Sequence, residues 1–146
     1  MRRRILFSLL LLLSLPILAQ GQTDGSGAFF FVGMKLEEVF ERFGAPIAVY
    51  AARGIEVWQD DVIFQYSVGD FYIFGDRVWQ VRLPAAYGIS AGDPKAAVLL
   101  VLGNAAEDMD DHVLIPLTGQ DWPLVMRINF NKTYAVSAIY VYRPDF

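Results

Sequence analysis

The sequence predicts an α+β fold of two tandem units, each a helical segment packed on an antiparallel sheet of three or four strands. Three features carry this prediction. Apolar residues recur with helical spacing over residues 35–43. From residue 55 onward they alternate with polar residues, which is typical of strands with one buried face. The same order of helix and strands then returns in the second half of the chain, which indicates an internal repeat.

Residues 1–21 have the pattern of a cleavable secretory signal peptide. Arg2, Arg3 and Arg4 precede an apolar run over residues 5–19, and Ala19 and Gly21 are the small residues that a signal peptidase needs before a cut after Gly21. The alternatives are a retained membrane anchor and export by the twin-arginine route. The apolar run is shorter than the roughly 20 residues of a spanning helix, which favours cleavage. We therefore expect a periplasmic or secreted protein with a short flexible leader over residues 22–27.

Removal of residues 1–21 changes the charge of the chain. The full sequence has 12 basic and 16 acidic residues, and the loss of three arginines leaves nine basic residues and a net charge of −7. Such a chain is poorly suited to nucleic acid or anionic lipid, and suits a basic protein partner or simple solubility. The absence of cysteine excludes disulfides, thiol catalysis and a lipid anchor on cysteine.

The first unit is expected over residues 28–84. Residues 28–32 form a candidate buried strand, and residues 35–43 form a helix that ends at Gly44. Residues 55–59 and 62–67 read as strands around an Asp60–Asp61 turn, and residues 70–74 and 77–83 as a hairpin around Gly75–Asp76. Strict alternation in the last strand groups Trp79 with Val81 and Leu83, opposite Val78, Gln80 and Arg82.

The second unit is expected over residues 85–146. Asp93 is the predicted N-cap of a helix with Pro94 in its first position and Gly103 at its end. Residues 112–117, 123–130 and 134–143 follow as strands. In the second of these, Leu124, Met126, Ile128 and Phe130 lie on one face, and Arg127 and Asn129 lie on the other.

The two helical segments align without a gap. Gly33 corresponds to Gly92, Val39 to Val98, and Gly44 to Gly103, while Phe40 and Phe43 correspond to leucines. The first glycine allows the turn into the helix, the apolar residues dock the helix on the sheet, and the second glycine takes the C-terminal cap.

This spacing resembles the repeat unit of the β-lactamase-inhibitor-protein-like superfamily, and in single copy the SmpA/OmlA (BamE-like) lipoproteins of outer-membrane assembly. The matching residues are Gly33, Val39, Phe43, Gly44 and Pro46 in the first unit, and Gly92, Val98, Leu102 and Gly103 in the second, where Ala105 replaces the proline. The resemblance implies the tandem fold and a protein-binding role. The chain departs from the inhibitors in having no disulfide and from the lipoproteins in having no cysteine for a lipid.

Little in the sequence points to catalysis or to a cofactor. His112 is the only histidine, and we expect it to pair with a neighbouring carboxylate. The densest acidic group, Glu107, Asp108, Asp110 and Asp111, lacks the spacing of a calcium loop. It is either a solvated loop or a contact surface for a basic partner. We assign no catalytic residue, metal ligand or cofactor.

Aromatic residues exceed what one core needs. Residues 71–74 and 139–142 are apolar or aromatic on both faces, so one face is either the seam between the two units or an exposed protein-binding surface. On the second interpretation the residues expected to contact a partner are Trp58, Tyr72, Trp79, Arg127 and Tyr142.

The function that these features favour is an exported, non-enzymatic module that binds another protein through its sheet face, either as an inhibitor or in association with the envelope. The alternatives are an envelope assembly or scaffold factor, a binder of small apolar ligands, and an enzyme with a carboxylate site between the two units.

Overall fold

The computed structural model describes residues 30–54, 60–118 and 121–145, and the fold is α+β, with two helices and a large antiparallel sheet. The elements in chain order are α1 (Leu36–Phe43), β1 (Ala48–Ala52), β2 (Asp61–Tyr66), β3 (Gly69–Phe74), β4 (Arg77–Leu83), β5 (Ala85–Ala86), β6 (Ile89–Ser90), α2 (Lys95–Leu102), β7 (Glu107–Asp108), β8 (His112–Leu117), β9 (Leu124–Phe130) and β10 (Val136–Tyr142).

Eight strands form one sheet in the order β1-β2-β3-β4-β10-β9-β8-β7, and β5 and β6 form a separate short hairpin. Each helix is therefore followed along the chain by four strands that occupy one half of the sheet. The halves join at the centre, where β4 and β10 pair antiparallel with Val81 opposite Val141. Among the described residues, no helix is long and apolar enough to cross a membrane.

The core lies between the helices and one face of the sheet. Phe71, Val81, Val141 and Met126 form a continuous row across the four central strands and are fully buried. From β9 the alternation Leu124, Met126, Ile128, Phe130 is buried as the sequence predicts. Burial of aliphatic side chains of this size stabilises a fold by about 1.5–3 kcal/mol each, so this face is the main source of stability.

The helices dock on the same face. Val39 of α1 and Val98 of α2 are the buried residues of the two helices. Gly44 and Gly103 follow the helices with positive φ, as the sequence predicts, but with ψ of −152° and −141°. This backbone conformation lies outside the left-handed helical region and is adopted almost only by glycine.

The first helix is attached to the sheet by backbone hydrogen bonds to β4 and to the turn before it. The Gly33 N–H donates to the Val78 carbonyl at 2.7 Å, and the Val78 N–H donates to the Met34 carbonyl at 2.9 Å. The Leu36 N–H donates to the carbonyl of Asp76 at 2.7 Å.

The second helix is attached to β10 by a matching set of bonds. The Gly92 N–H donates to the Val136 carbonyl at 2.9 Å, and the Val136 N–H donates to the Asp93 carbonyl at 2.8 Å. The Lys95 N–H donates to the carbonyl of Tyr134 at 2.8 Å. Gly33 and Gly92 both have positive φ, 97° and 94°.

Several predicted elements differ from the structure. The described part of the candidate strand at residues 28–32 is a turn that leads into α1, in which Phe31 and Val32 are buried. Asp61 belongs to β2 rather than to a turn. The predicted strand over residues 55–59 lies outside the described residues.

The predicted cap of the second helix is also different. Pro94, not Asp93, is the N-cap residue of α2. The Asp93 carboxylate instead accepts a hydrogen bond of 2.7 Å from the Ser90 N–H and so closes the preceding turn. This is the local competition between turn and cap that short acidic side chains undergo.

Candidate functional site

The sheet face opposite the helices carries a broad surface of aromatic and polar side chains, here called the open face. Alternation along each strand produces it, because Tyr72, Gln80 and Tyr142 stand next to the buried Phe71, Val81 and Val141 and so point to the other side. Its central side chains are half-buried to exposed and comprise Tyr50, Tyr72, Trp79, Gln80, Arg82, Arg127, Asn129, Tyr140 and Tyr142.

A β-bulge places Trp79 on the open face. Between β3 and β4, Tyr72 pairs with Gln80 while Ile73 pairs with Val78, so Trp79 is the extra residue. Strict alternation assigned Trp79 to the face of Val81, and this was wrong because a bulge shifts the side-chain order by one residue.

Trp79 is fixed by Asp61, the first residue of β2. The indole N–H donates to the Asp61 carboxylate at 2.9 Å. Burial raises the pKa of Asp61, the charge of Asp60 raises it further, and the Trp79 hydrogen bond partly offsets both.

Three aromatic rings meet at the centre of the open face. The Tyr72 ring lies edge-on to Trp79 and to Tyr140, with centroids 6.4 Å and 6.2 Å away. Burial raises the pKa of Tyr72, and its neighbour Tyr140 raises it further. Edge-to-face packing of this kind holds each ring in one orientation.

A charged group lies beside these rings. Asp70 is the buried charged residue of the described chain, at 9% exposure, and its carboxylate lies 3.6 Å from the Arg82 guanidinium. Burial raises the pKa of the nearby Tyr50, and Asp70 raises it further. The charge of Asp70 is therefore satisfied within the fold.

Arg127 lines a shallow depression on the β4–β10–β9 part of the open face. Its Nε donates to the Asn129 side-chain oxygen at 2.7 Å. None of the carboxylates in the described residues forms an ion pair with it. The depression has a volume of about 330 Å³ and is lined by Trp79, Gln80, Arg127, Asn129, Tyr140 and Tyr142. The guanidinium thus shares the depression with aromatic rings, and the charge of Asp111 acts on it without forming an ion pair.

Four of the five residues predicted from the aromatic surplus lie on this one face, namely Tyr72, Trp79, Arg127 and Tyr142. Trp58 lies outside the described residues. Tyr142 fits both interpretations of the aromatic surplus, the seam and the exposed surface. It lies on β10, where the two halves of the sheet join, and it is part of the open face.

The sequence did not identify Tyr50, Asp70, Arg82 or Tyr140 as members of the open face. Pairing of β3 with β4 sets Asp70 opposite Arg82, and pairing of β4 with β10 sets Arg82 opposite Tyr140. The pairing of β4 with β10 joins residues more than fifty positions apart in the chain, which local periodicity does not reveal.

The acidic residues Glu107 and Asp108 form the edge strand β7, and Asp110 and Asp111 lie in the turn to β8. Asp108 accepts from the Lys95 ammonium at 2.6 Å, which lowers the pKa of Asp108. The Asp111 carboxylate lies 2.5 Å from the His112 ring, so the predicted pairing of His112 is confirmed. This contact lowers the pKa of Asp111.

Glu107 pairs with Leu114, and Leu114 with Arg127, so Glu107 lies on the open face two strands from Arg127. Glu107 and Asp110 have no ion pair with other described residues, so these two carboxylates remain available to a partner. No group of three or more His, Asp or Glu side chains in the described ranges is arranged to hold a metal ion.

Comparison of the chain with protein-family models, with curated proteins and with solved structures gives no match.

Proposed function

We propose that the chain is an exported, non-enzymatic module that recognises another protein through the open face. The observation that carries the proposal is the depression around Arg127, where a guanidinium without an ion pair among the described residues lies beside Trp79, Tyr140 and Tyr142. Tryptophan, tyrosine and arginine are the residues that most often dominate protein–protein binding energy.

The rigidity of the aromatic group supports protein recognition. Trp79 is held by Asp61, and Tyr72 packs edge-on against Trp79 and Tyr140. Side chains already fixed in the free protein lose little conformational entropy when a partner binds. A rigid surface of this kind supports tight binding of a partner protein even though it has no deep pocket.

The acidic edge, here defined as Glu107, Asp108, Asp110 and Asp111, adds a second contact for a basic partner. Glu107 extends the open face beyond Leu114, and Asp110 lies in the adjoining turn. Asp108 and Asp111 are engaged by Lys95 and His112. We therefore assign the contact with a basic partner mainly to Glu107 and Asp110, and a structural role in the turn to Asp108 and Asp111.

We further propose that the fold consists of two tandem copies of one unit, as the glycine spacing predicts. The matching hydrogen bonds at Gly33 and Gly92 support it. So does the arrangement of the strands, since each helix precedes the four strands of one half of the sheet. A tandem sheet with an exposed aromatic face fits either an inhibitor or an envelope-associated binding protein.

The test is affinity capture from envelope extract with the purified protein, followed by titration of the recovered partner. We expect the double variant Trp79→Ala, Tyr142→Ala to bind that partner at least about 100-fold more weakly, since two central contacts are lost. The matched control is Leu100→Ala, which truncates an 85% exposed side chain on the helix side. Equal affinity of the double variant and the control would overturn the proposal.

The acidic contact is tested separately. The double variant Glu107→Gln, Asp110→Asn is expected to weaken binding and to reduce its dependence on salt, because fewer charges meet the partner. Unchanged affinity and unchanged salt dependence would show that the acidic edge does not contact the partner.

A further inference from the structure

The two ends of the eight-stranded sheet differ in a way that bears on assembly. One end is β1, Ala48–Ala52, which pairs with β2 on one side. No strand of the described chain lies on its other side. Alternate residues of an antiparallel strand direct their N–H and C=O groups away from the paired neighbour. Among the described residues, β1 therefore has a row of backbone groups without a strand partner, here called the β1 edge.

The β1 edge has none of the features that normally prevent pairing with another strand. Its sequence, AVYAA, contains no charge, proline or glycine. Val49 and Tyr50 are 58% and 41% exposed, and Ile47 just before the strand is 71% exposed. Uncharged and exposed edges are the ones that recruit a further strand.

The opposite end of the sheet is protected. β7 has only two residues, Glu107 and Asp108, and both are exposed and acidic. Short length and like charges are two common ways of blocking an edge. The sheet thus has one edge fit for pairing and one that resists it.

Apolar surface continues from the β1 edge onto the helix side of the sheet. Val49 pairs with Phe64, and the Phe64 ring lies 5.6 Å from Phe40 of α1. Val62, which pairs with Ala51, is 45% exposed, and Phe40 is 42% exposed. A strand added beside β1 would cover side chains as well as satisfy backbone groups.

We infer that the β1 edge pairs antiparallel with the β1 edge of a second copy of this chain. Pairing centred on Tyr50 sets Val49 opposite Ala51 and Ala48 opposite Ala52, so no charges face each other. This matters for an acidic chain, whose full sequence carries a net charge of −4. An uncharged contact avoids the repulsion that two acidic copies would meet at most other charged parts of their surface.

The geometry of strand pairing also limits the assembly to two copies. Antiparallel pairing of identical strands is two-fold symmetric, and such contacts close on themselves. The second edge of each copy is the protected β7, so the sheet does not extend further. The two-fold axis is perpendicular to the sheet, which leaves the two open faces on the same side as one continuous surface.

The first test is the mass of the purified protein in solution, measured by sedimentation over a range of concentrations. We expect a dimer of twice the chain mass. Val49→Lys introduces a charge at the edge and is expected to weaken dimerisation by at least about tenfold. Leu100→Lys places the same charge on α2, the other exposed apolar surface of the fold, and is expected to leave the dimer unchanged.

A monomer at every concentration would overturn the inference. So would loss of the dimer in Leu100→Lys but not in Val49→Lys, because that result would place the contact on α2.

The second test uses the absence of cysteine from the chain. Tyr50→Cys places one thiol at the centre of the β1 edge, where directly opposed side chains come close enough for a disulfide. Mild oxidation is expected to give a covalent dimer, whereas Leu100→Cys gives little. Equal cross-linking of the two variants would contradict strand pairing and would not depend on the stability of either variant.

Discussion

Trp79 donates its indole N–H to the Asp61 carboxylate across 2.9 Å, which ties the bulged residue of β4 to the first residue of β2. The bond spans β3, which lies between these two strands in the sheet. A bulge that would otherwise loosen the centre of the open face is thereby held in place, and the indole ring is fixed on that face.

The first prediction concerns the pH dependence of this bond. Because burial raises the pKa of Asp61, the folded protein keeps its proton to a higher pH than the unfolded chain. The free energy of unfolding contributed by Asp61 therefore falls as the pH rises from the ordinary value of 3.8 through the raised pKa. Asp61→Asn keeps an acceptor for Trp79 and removes the ionisation, so its stability relative to wild type should increase over that window.

Urea unfolding at a series of pH values checks this prediction, together with an NMR titration of the Asp61 carboxyl. Trp79→Phe serves as the control, because loss of the hydrogen bond is expected to raise the Asp61 pKa further. A titration midpoint at or below 3.8 in the wild type would contradict the argument.

The second prediction compares the two glycines that lead into the helices. A Cβ at Gly33 would lie 2.9 Å from the Trp122 ring, whereas a Cβ at Gly92 meets nothing within 4 Å. Both positions have a positive φ. Gly92→Ala should cost about 1–2 kcal/mol from backbone strain alone, and Gly33→Ala about 1–3 kcal/mol more from the contact with Trp122.

Urea unfolding of the two variants measures the difference in their free energies of unfolding. Trp122→Phe in the Gly33→Ala background shortens the ring and should recover part of the loss. Equal losses of the free energy of unfolding in Gly33→Ala and Gly92→Ala would show that the Trp122 ring moves away from the added methyl group without a measurable cost.

The third prediction tests the equivalence of the two halves. Gly44 and Gly103 end α1 and α2 with similar backbone angles, and a methyl group added at either Cα would meet no atom within 4 Å. Gly44→Ala and Gly103→Ala should therefore destabilise the protein by similar amounts, about 1–3 kcal/mol each. The comparison uses thermal and urea unfolding, and a large difference would argue against two copies of one unit.

The fourth prediction concerns Lys95, whose ammonium lies 2.6 Å from the Asp108 carboxylate and 2.7 Å from the Asp110 carbonyl. In Lys95→Met the pKa of Asp108 should rise towards its ordinary value, because the main cause of its lowering is lost. The contribution of Asp108 to stability is present above the ordinary pKa and is lost as the pH falls, so the variant should lose less stability on acidification.

An NMR titration of Asp108 checks this, with Lys132→Met in the exposed turn before β10 as the control. An Asp108 midpoint that is the same in Lys95→Met and in the wild type would show that the Lys95 contact has no influence on the carboxylate.

The fold class was predictable because both periodicities are strong in this sequence. In β9, Met126 and Ile128 alternate with Arg127 and Asn129, and the structure buries the first pair and not the second. In α1, Val39 stands in the predicted apolar stripe and is fully buried. Local pattern alone decides such elements.

Two features of the candidate site could not be predicted from the local sequence pattern. The bulge at Trp79 shifts the side-chain order by one residue, and no turn residue marks it in the sequence. The strand β1 was missed because alanine has little preference for strands, and three of its five residues are alanine. Tertiary pairing with β2 places it in the sheet nevertheless.

The position of β10 affects how the chain reaches its final form. Its residues, Val136–Tyr142, are synthesised after the other strands of the described sheet, yet they lie between β4 and β9 in its middle. Until they emerge from the ribosome, β4 and β9 are exposed as two unprotected edges prone to aggregation. The pairing that joins the two halves of the sheet is therefore completed only after β10 has been synthesised.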